Sequence, residues 1–238
     1  MKELTRRLGA LALALGLGLT LAACGESSGL SKREAETYVD GLLRETYLGE
    51  FDADYLRMVD LSEEEARKTY GSGLDAETEF FMGLYNIEYP TEELRQEVRA
   101  MYAEIYAHAR FEVVSAAEQD DGSFSVKVNV EPIDIVRLVD ADWAETVQPF
   151  YDEYPYEVQS AMEEEAYRAM DAQWARLVVD LYQEKLPETG NLAAQTVTVQ
   201  LERDRDGNYA ITSEDLGRLD EAVIDYSVYA NGVKEQAR

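Results

Sequence analysis

The sequence predicts an α+β fold: N-terminal helices followed by a four-stranded antiparallel sheet, built as two hairpins and packed against a long helix. Three observations carry this expectation. The apolar period changes from helical to alternating at residue 111 and again at 197. Asp-Gly pairs at 121–122 and 206–207 sit beside alternating segments, and Asp-Gly is a strong short-range hairpin signal. Between the hairpins, Val158, Met162, Ala166, Met170, Trp174, Leu177 and Leu181 form one helical stripe. Helices gathered on one face of an antiparallel sheet make an α+β layer.

Taken in order, Ser31 with Glu34 forms a capping box that opens a helix over 31–48, and Gly49 stops it. A short helix is expected from Asp52 to Val59. Ser62 with Glu65 is a second capping box, opening a helix to about Ile87, with Gly71-Ser72-Gly73 expected to kink or split it. Pro90-Thr91 starts another, with Leu94, Val98, Met101, Tyr102, Ile105 and Ala109 on one face. Phe111 to Ala116 reads as a strand. After the turn at Asp121-Gly122, Phe124, Val126, Val128 and Val130 alternate with polar residues, and Pro132 ends the pairing. Asp140 to Leu186 is helical, interrupted by Pro149 and Pro155. Val197, Val199 and Leu201 alternate in a third strand, Tyr209 to Ile211 makes a fourth, and Ser213 opens a last helix to about Ile224.

The start of the chain carries a separate signal. Lys2, Arg6 and Arg7 precede an uncharged run, Leu8 to Leu21. As a helix that run spans about 21 Å, short of the roughly 30 Å of a bilayer core. A basic start, a short apolar run and small residues describe a secretory signal. It ends in Leu21-Ala22-Ala23-Cys24, and Cys24 is the only cysteine. This ending resembles the lipobox of bacterial lipoproteins. The resemblance implies a diacylglyceryl group on the Cys24 thiol, cleavage just before it, and a membrane partner reached through that anchor. The competing readings are an ordinary signal peptide with a chance cysteine and an uncleaved anchor. The expected organisation is a signal peptide over 1–23, a flexible tether over 24–30 and a single domain over 31–225. Within that domain the helical part covers 31–110 and the hairpin-helix-hairpin-helix part 111–225, with a tail over 226–238. Even ten residues of such a flexible chain reach only roughly 16–19 Å, so the domain is expected close to the outer face of the cell membrane.

Composition narrows the function. There are 49 acidic and 22 basic residues, a net charge of −27, one His and one Cys. Nucleic-acid binding is excluded as an expectation, because phosphate backbones need a basic footprint. One cysteine forms no internal disulfide and no thiolate metal cluster. His108, at the end of an apolar helix face, has no nucleophile motif beside it and reads as a helix-end histidine. Glu63-Glu64-Glu65 and Glu163-Glu164-Glu165 read as solvated helix faces. Asp204-x-Asp206-Gly207-Asn208 resembles the start of a calcium loop, but its glycine falls too early for one, and a hairpin turn explains it better. No cofactor and no metal site is expected.

One segment stands out as a candidate binding surface. Trp143, Tyr151, Tyr154 and Tyr156, with Phe150, place aromatics beside carboxylates, a combination that stacks on sugars or holds cations. The competing explanation is packing, since a tyrosine's apolar body and polar tip suit half-buried positions.

Two wider resemblances complete the sequence-based picture. The order helix, hairpin, helix, hairpin is similar to the cystatin-like and nuclear-transport-factor-two-like folds, in which a curved sheet wraps a helix. The stretches Tyr-Val-Asp-Gly-Leu-Leu at 38–43, Val-Asp-Leu-Ser-Glu-Glu-Glu-Ala at 59–66 and Val-Glu-Pro-Ile-Asp-Ile at 130–135 resemble uncharacterised lipoproteins of Gram-positive bacteria. These resemblances imply a fold and a location, and no reaction. The expectation is a membrane-anchored, non-enzymatic ligand-binding module of the cell envelope, whose envelope ligand or protein the sequence does not name. The alternative is a protein-interaction or assembly subunit at the same membrane face.

Overall fold

A computed structural model describes residues 29–204 and 209–229. The signal segment, Cys24 and the Arg205–Asn208 part of the second turn lie outside the described residues. Leu30, expected in the tether, is already buried, and its amide donates to the Tyr209 hydroxyl at 3.3 Å.

Helix α1 (Lys32–Leu43) opens on the expected box: the Glu34 amide donates to the Ser31 hydroxyl and the Ser31 amide to the Glu34 carboxylate. One π-helical turn, Arg44–Leu48, continues it and ends at Gly49, whose φ of 61° favours glycine. The widened turn buries both Glu45 and Tyr47. Helices α2 (Ala53–Met58), α3 (Glu63–Leu84) and α4 (Glu92–Tyr106) are capped by Asp52, Ser62 and Thr91. Gly71-Ser72-Gly73 does not split α3 as expected. Packing against α4 outweighs the glycine penalty there: Arg99 reaches back to the Asp75 carboxylate at 2.7 Å and the Gly71 carbonyl at 3.4 Å.

Strands β1 (Arg110–Glu118) and β2 (Phe124–Glu131) pair as an antiparallel hairpin, with Gly122 at φ 82° in the turn. A bulge between Val113 and Ser115 interrupts the register. Strand β3 (Gln195–Arg203) returns beside β2, and β4 (Tyr209–Ile211) closes the order β1-β2-β3-β4, all antiparallel. The α+β class stands. The helices on the sheet are the short ones: α1 packs against β1 and β2, and α8 (Ser213–Val223), capped by Thr212 rather than Ser213, against β2 and β3. The long helix α7 (Glu164–Lys185), expected on the sheet, packs instead on α5 (Ile135–Glu153). Charged helix side chains occupy the β1 edge and the part of β3 that β4 leaves uncovered. Glu36 accepts the Ala116 amide at 3.0 Å, Asp215 accepts the Gln200 amide at 2.5 Å, and Arg218 donates to the Thr198 carbonyl at 2.9 Å. Groups that would template another strand are thereby engaged.

Helix α5 starts at Ile135, earlier than Asp140, and runs through Pro149; Pro155 does break the chain, before the single turn α6 (Tyr156–Gln159). From 148 to 169 no residue is buried, whereas Val147 and Met170 on either side are. The end of α5, α6 and the start of α7 therefore form a helical arm standing out from the core. At the other end of the chain, Tyr226 and Tyr229, within the segment expected as a tail from 226, pack against the core, and residues 230–238 lie outside the described residues.

Candidate functional site

The arm gathers aromatic rings from two antiparallel helices. Trp143 and Phe150 are two turns apart on α5 and share its inner face. Opposite them, Trp174 on α7 lies 5.7 Å from Trp143, 5.1 Å from Phe150 and 5.6 Å from Tyr151, centroid to centroid. Tyr154 packs 5.0 Å from Phe150 and donates its hydroxyl to Gln173 at 3.2 Å. Trp143 also meets Tyr85 of the core at 5.3 Å, and the Trp174 indole N–H donates to the Tyr85 carbonyl at 2.7 Å. Trp143 and Tyr151 are thus brought together around Trp174, which the sequence places only in a helical stripe, and Tyr154 joins them through Phe150. Tyr156 is not in that cluster: it lies on α6 with 79% of its surface exposed. Tyr151 is 46% and Val158 43% exposed.

Polar contacts hold α7 in place along its length. Asp171, on α7, accepts the amides of Glu88 and Tyr89 at 3.0 and 2.8 Å. Lys185 at the far end of α7 pairs with Asp142 of α5. Arg168 bridges to Glu164 at 2.7 Å and lies 4.2 Å over the Tyr89 ring.

A second constellation was not anticipated. Glu77 on α3 and Asp220 on α8 point into the interior, where the Tyr106 hydroxyl donates to Glu77 and the Tyr47 hydroxyl to Asp220. Around them, Tyr102 meets Tyr226 at 3.4 Å, and Tyr85 bonds to Tyr182 at 2.7 Å and to Tyr229. Burial pushes the Glu77 carboxyl up to about 7; the Tyr106 hydrogen bond opposes this and the Asp220 charge adds to it. Burial likewise raises Asp220 to about 6, against the Tyr47 hydrogen bond. The phenols of Tyr47, Tyr102, Tyr106, Tyr182 and Tyr226 are driven upward, first by burial, and stay neutral donors. Two carboxyl groups whose proton affinity burial raises, to about 7 for Glu77 and about 6 for Asp220, therefore sit in a phenol-lined core. A signal for them was present: Glu77 lies between Leu74 and Phe81, and Asp220 between Leu216 and Val223, on otherwise apolar helix faces.

The other candidates fall apart spatially. His108 follows α4, half-buried, and its carbonyl accepts the Asn191 side chain at 2.9 Å. The open cleft beside it is lined by Glu104, Ala107, Gln183, Leu186 and Pro187, which offer no hydroxyl or thiol. Among the described residues, no group of three or more His, Cys, Asp or Glu is arranged to hold a metal ion.

No family model matches this chain, and no curated protein matches it. Among solved structures it is similar to the crystal structure of the candidate lipoprotein YcdA from Bacillus subtilis, with a TM-score of 0.53 and 14% identical residues. The likeness covers 80% of this chain and 56% of that one, so this chain spans little more than half of the Bacillus protein's length. At that identity, what the two chains share is the fold: the α+β architecture described above extends to the Bacillus protein over four-fifths of this chain.

Proposed function

We propose that the protein is a lipoprotein, anchored by acyl chains on Cys24 at the extracytoplasmic face of the cell membrane, and that it acts there as a non-enzymatic binding module through its helical arm. The anchor is supported by the basic start, the short apolar run and the Leu21-Ala22-Ala23-Cys24 ending. The description of YcdA as a candidate lipoprotein agrees with it. None of the described helices is long and apolar enough to cross a membrane. The order of helices and hairpins further supports placing the domain beside the cystatin-like and nuclear-transport-factor-two-like folds.

The observation that carries the binding role is the arm itself: Tyr151, Tyr156 and Val158 are exposed on a helical projection whose base is fixed to the core. Large apolar side chains grouped in solvent on one projecting element support a contact surface there. A protein partner suits a convex arm better than a small molecule, which is usually enclosed.

Two measurements test the reading. Cys24→Ala should abolish incorporation of labelled palmitate in cells; retained label removes the anchor. A photo-crosslinking residue at position 156 should give a discrete, saturable adduct in intact cells, and the same residue at Glu64 on α3 should not. Equal patterns from the two positions remove the arm as the binding surface.

A further inference from the structure

We propose that the arm docks a basic amphipathic segment of another protein, one that presents lysines or arginines around an apolar stripe; this rests on the arm being a binding surface. Charge complementarity selects that partner. Between 148 and 169 the acidic residues are Asp152, Glu153, Glu157, Glu163, Glu164 and Glu165, and Arg168 alone is basic. Arg168 is already engaged by Glu164 and the Tyr89 ring. Among the described residues no ion pair engages Glu153, Glu157, Glu163 or Glu165, so their charges remain for a partner.

The exposed apolar groups lie among these charges. Tyr151 precedes Asp152 and Glu153, and Tyr156 and Val158 flank Glu157. Aromatic anchors ringed by like charges bind best where the opposite sign surrounds an apolar surface. The same charges disfavour the other large surfaces at this location: anionic lipid and nucleic acid are both repelled. Because Asp171 and Trp174 hold the base of the arm, little of its own freedom is lost on docking.

The chain reports on this site by itself, since its two tryptophans, Trp143 and Trp174, are both at the base of the arm. The experiment uses the whole chain from residue 24, made without lipid, and three short probes of one amphipathic pattern: lysine–leucine, glutamine–leucine and glutamate–leucine peptides. The lysine–leucine peptide should change tryptophan emission saturably, and its Kd should rise about tenfold between ~0.05 and ~0.3 M salt. Tyr151→Ser with Tyr156→Ser, which leaves the charge unchanged, should weaken binding about tenfold. Tyr156→Ser alone, at a position 79% exposed, should weaken it without any change in melting temperature. Glu63→Gln with Glu64→Gln on α3 should have no effect.

Equal weakening by the α3 pair, or none by the arm pair, overturns the proposal, because the peptide is then responding to the acidic surface at large. Equal binding of the glutamine or glutamate peptide overturns the basic partner and leaves the arm. Failure of the lysine–leucine peptide by emission and by calorimetry removes the basic partner. If position 156 still cross-links in cells, the arm survives as a binding surface; if that fails as well, the arm falls with it.

Discussion

In the core, Tyr106 and Tyr47 commit their hydroxyls to Glu77 and Asp220, and Tyr85, Tyr182 and Tyr229 bond to one another. On the arm, Tyr151 and Tyr156 keep much or most of their surface in water. The residue type is the same and the placement is opposite. A buried phenol needs a partner for its hydroxyl, and here the partners are other phenols and two carboxyls whose proton affinity burial raises. An exposed phenol needs none, so its ring remains for contact with something else. The core tyrosines set stability and its pH dependence, while Tyr156 on the arm is close to neutral for folding.

The largest test of that division is Phe81→Ala. Phe81 is fully buried and touches Tyr85, Tyr102 and Tyr182. Its loss should cost about 3–5 kcal/mol in denaturant unfolding. A loss as small as that of Tyr156→Ala would show that the core rings around Phe81 do not set stability.

The second is pH. Glu77 and Asp220 have pKa values raised to about 7 and about 6 in the folded protein. The folded state thus holds protons that the unfolded chain releases at lower pH. The stability they contribute is complete below about pH 4 and drains away as pH rises through 6 and 7, on the order of 3 kcal/mol for each group. The urea midpoint should be higher at pH 5 than at pH 8, and Glu77→Gln should flatten the difference. A midpoint that rises over this range would show that Glu77 is paired with charge and not protonated.

Tyr106→Phe sharpens the picture further. It removes the Glu77 donor and should cost about 1–3 kcal/mol, with the pH dependence displaced upward. The smallest effect belongs to Tyr156→Ala, which should change unfolding free energy by less than about 0.5 kcal/mol. A larger loss would place Tyr156 in packing and remove it from the contact surface.

Much of the fold was legible because local chemistry specifies it. Ser31 with Glu34 and Ser62 with Glu65 fix helix starts within one turn, and the alternation from Phe124 to Val130 fixes which side of β2 is buried. What was illegible depends on contacts distant in sequence. Nothing near Gly71-Ser72-Gly73 announces that Arg99 and α4 will hold the helix together. Pro149 predicts a break, yet at an exposed position the lost amide bond is tolerated and α5 continues. The π-helical turn at 44–48 has no sequence signature, although it brings Tyr47 to Asp220. At the arm, Trp143, Tyr151 and Tyr154 were visible as an aromatic run, whereas Trp174 and the pairing of Glu77 with Tyr106 needed the third dimension.

The junction of Leu30 with Tyr209 has a mechanical consequence. The Tyr209 phenol accepts the Leu30 amide at 3.3 Å and donates to the Gly122 carbonyl at 3.2 Å. A side chain at residue 29 would collide with it, because a Cβ there meets that oxygen at 2.7 Å. One ring therefore ties the entry of the chain to β4 and to the β1–β2 turn. A pull on the chain ahead of residue 29 would be shared between this hydrogen-bonded ring and the start of α1.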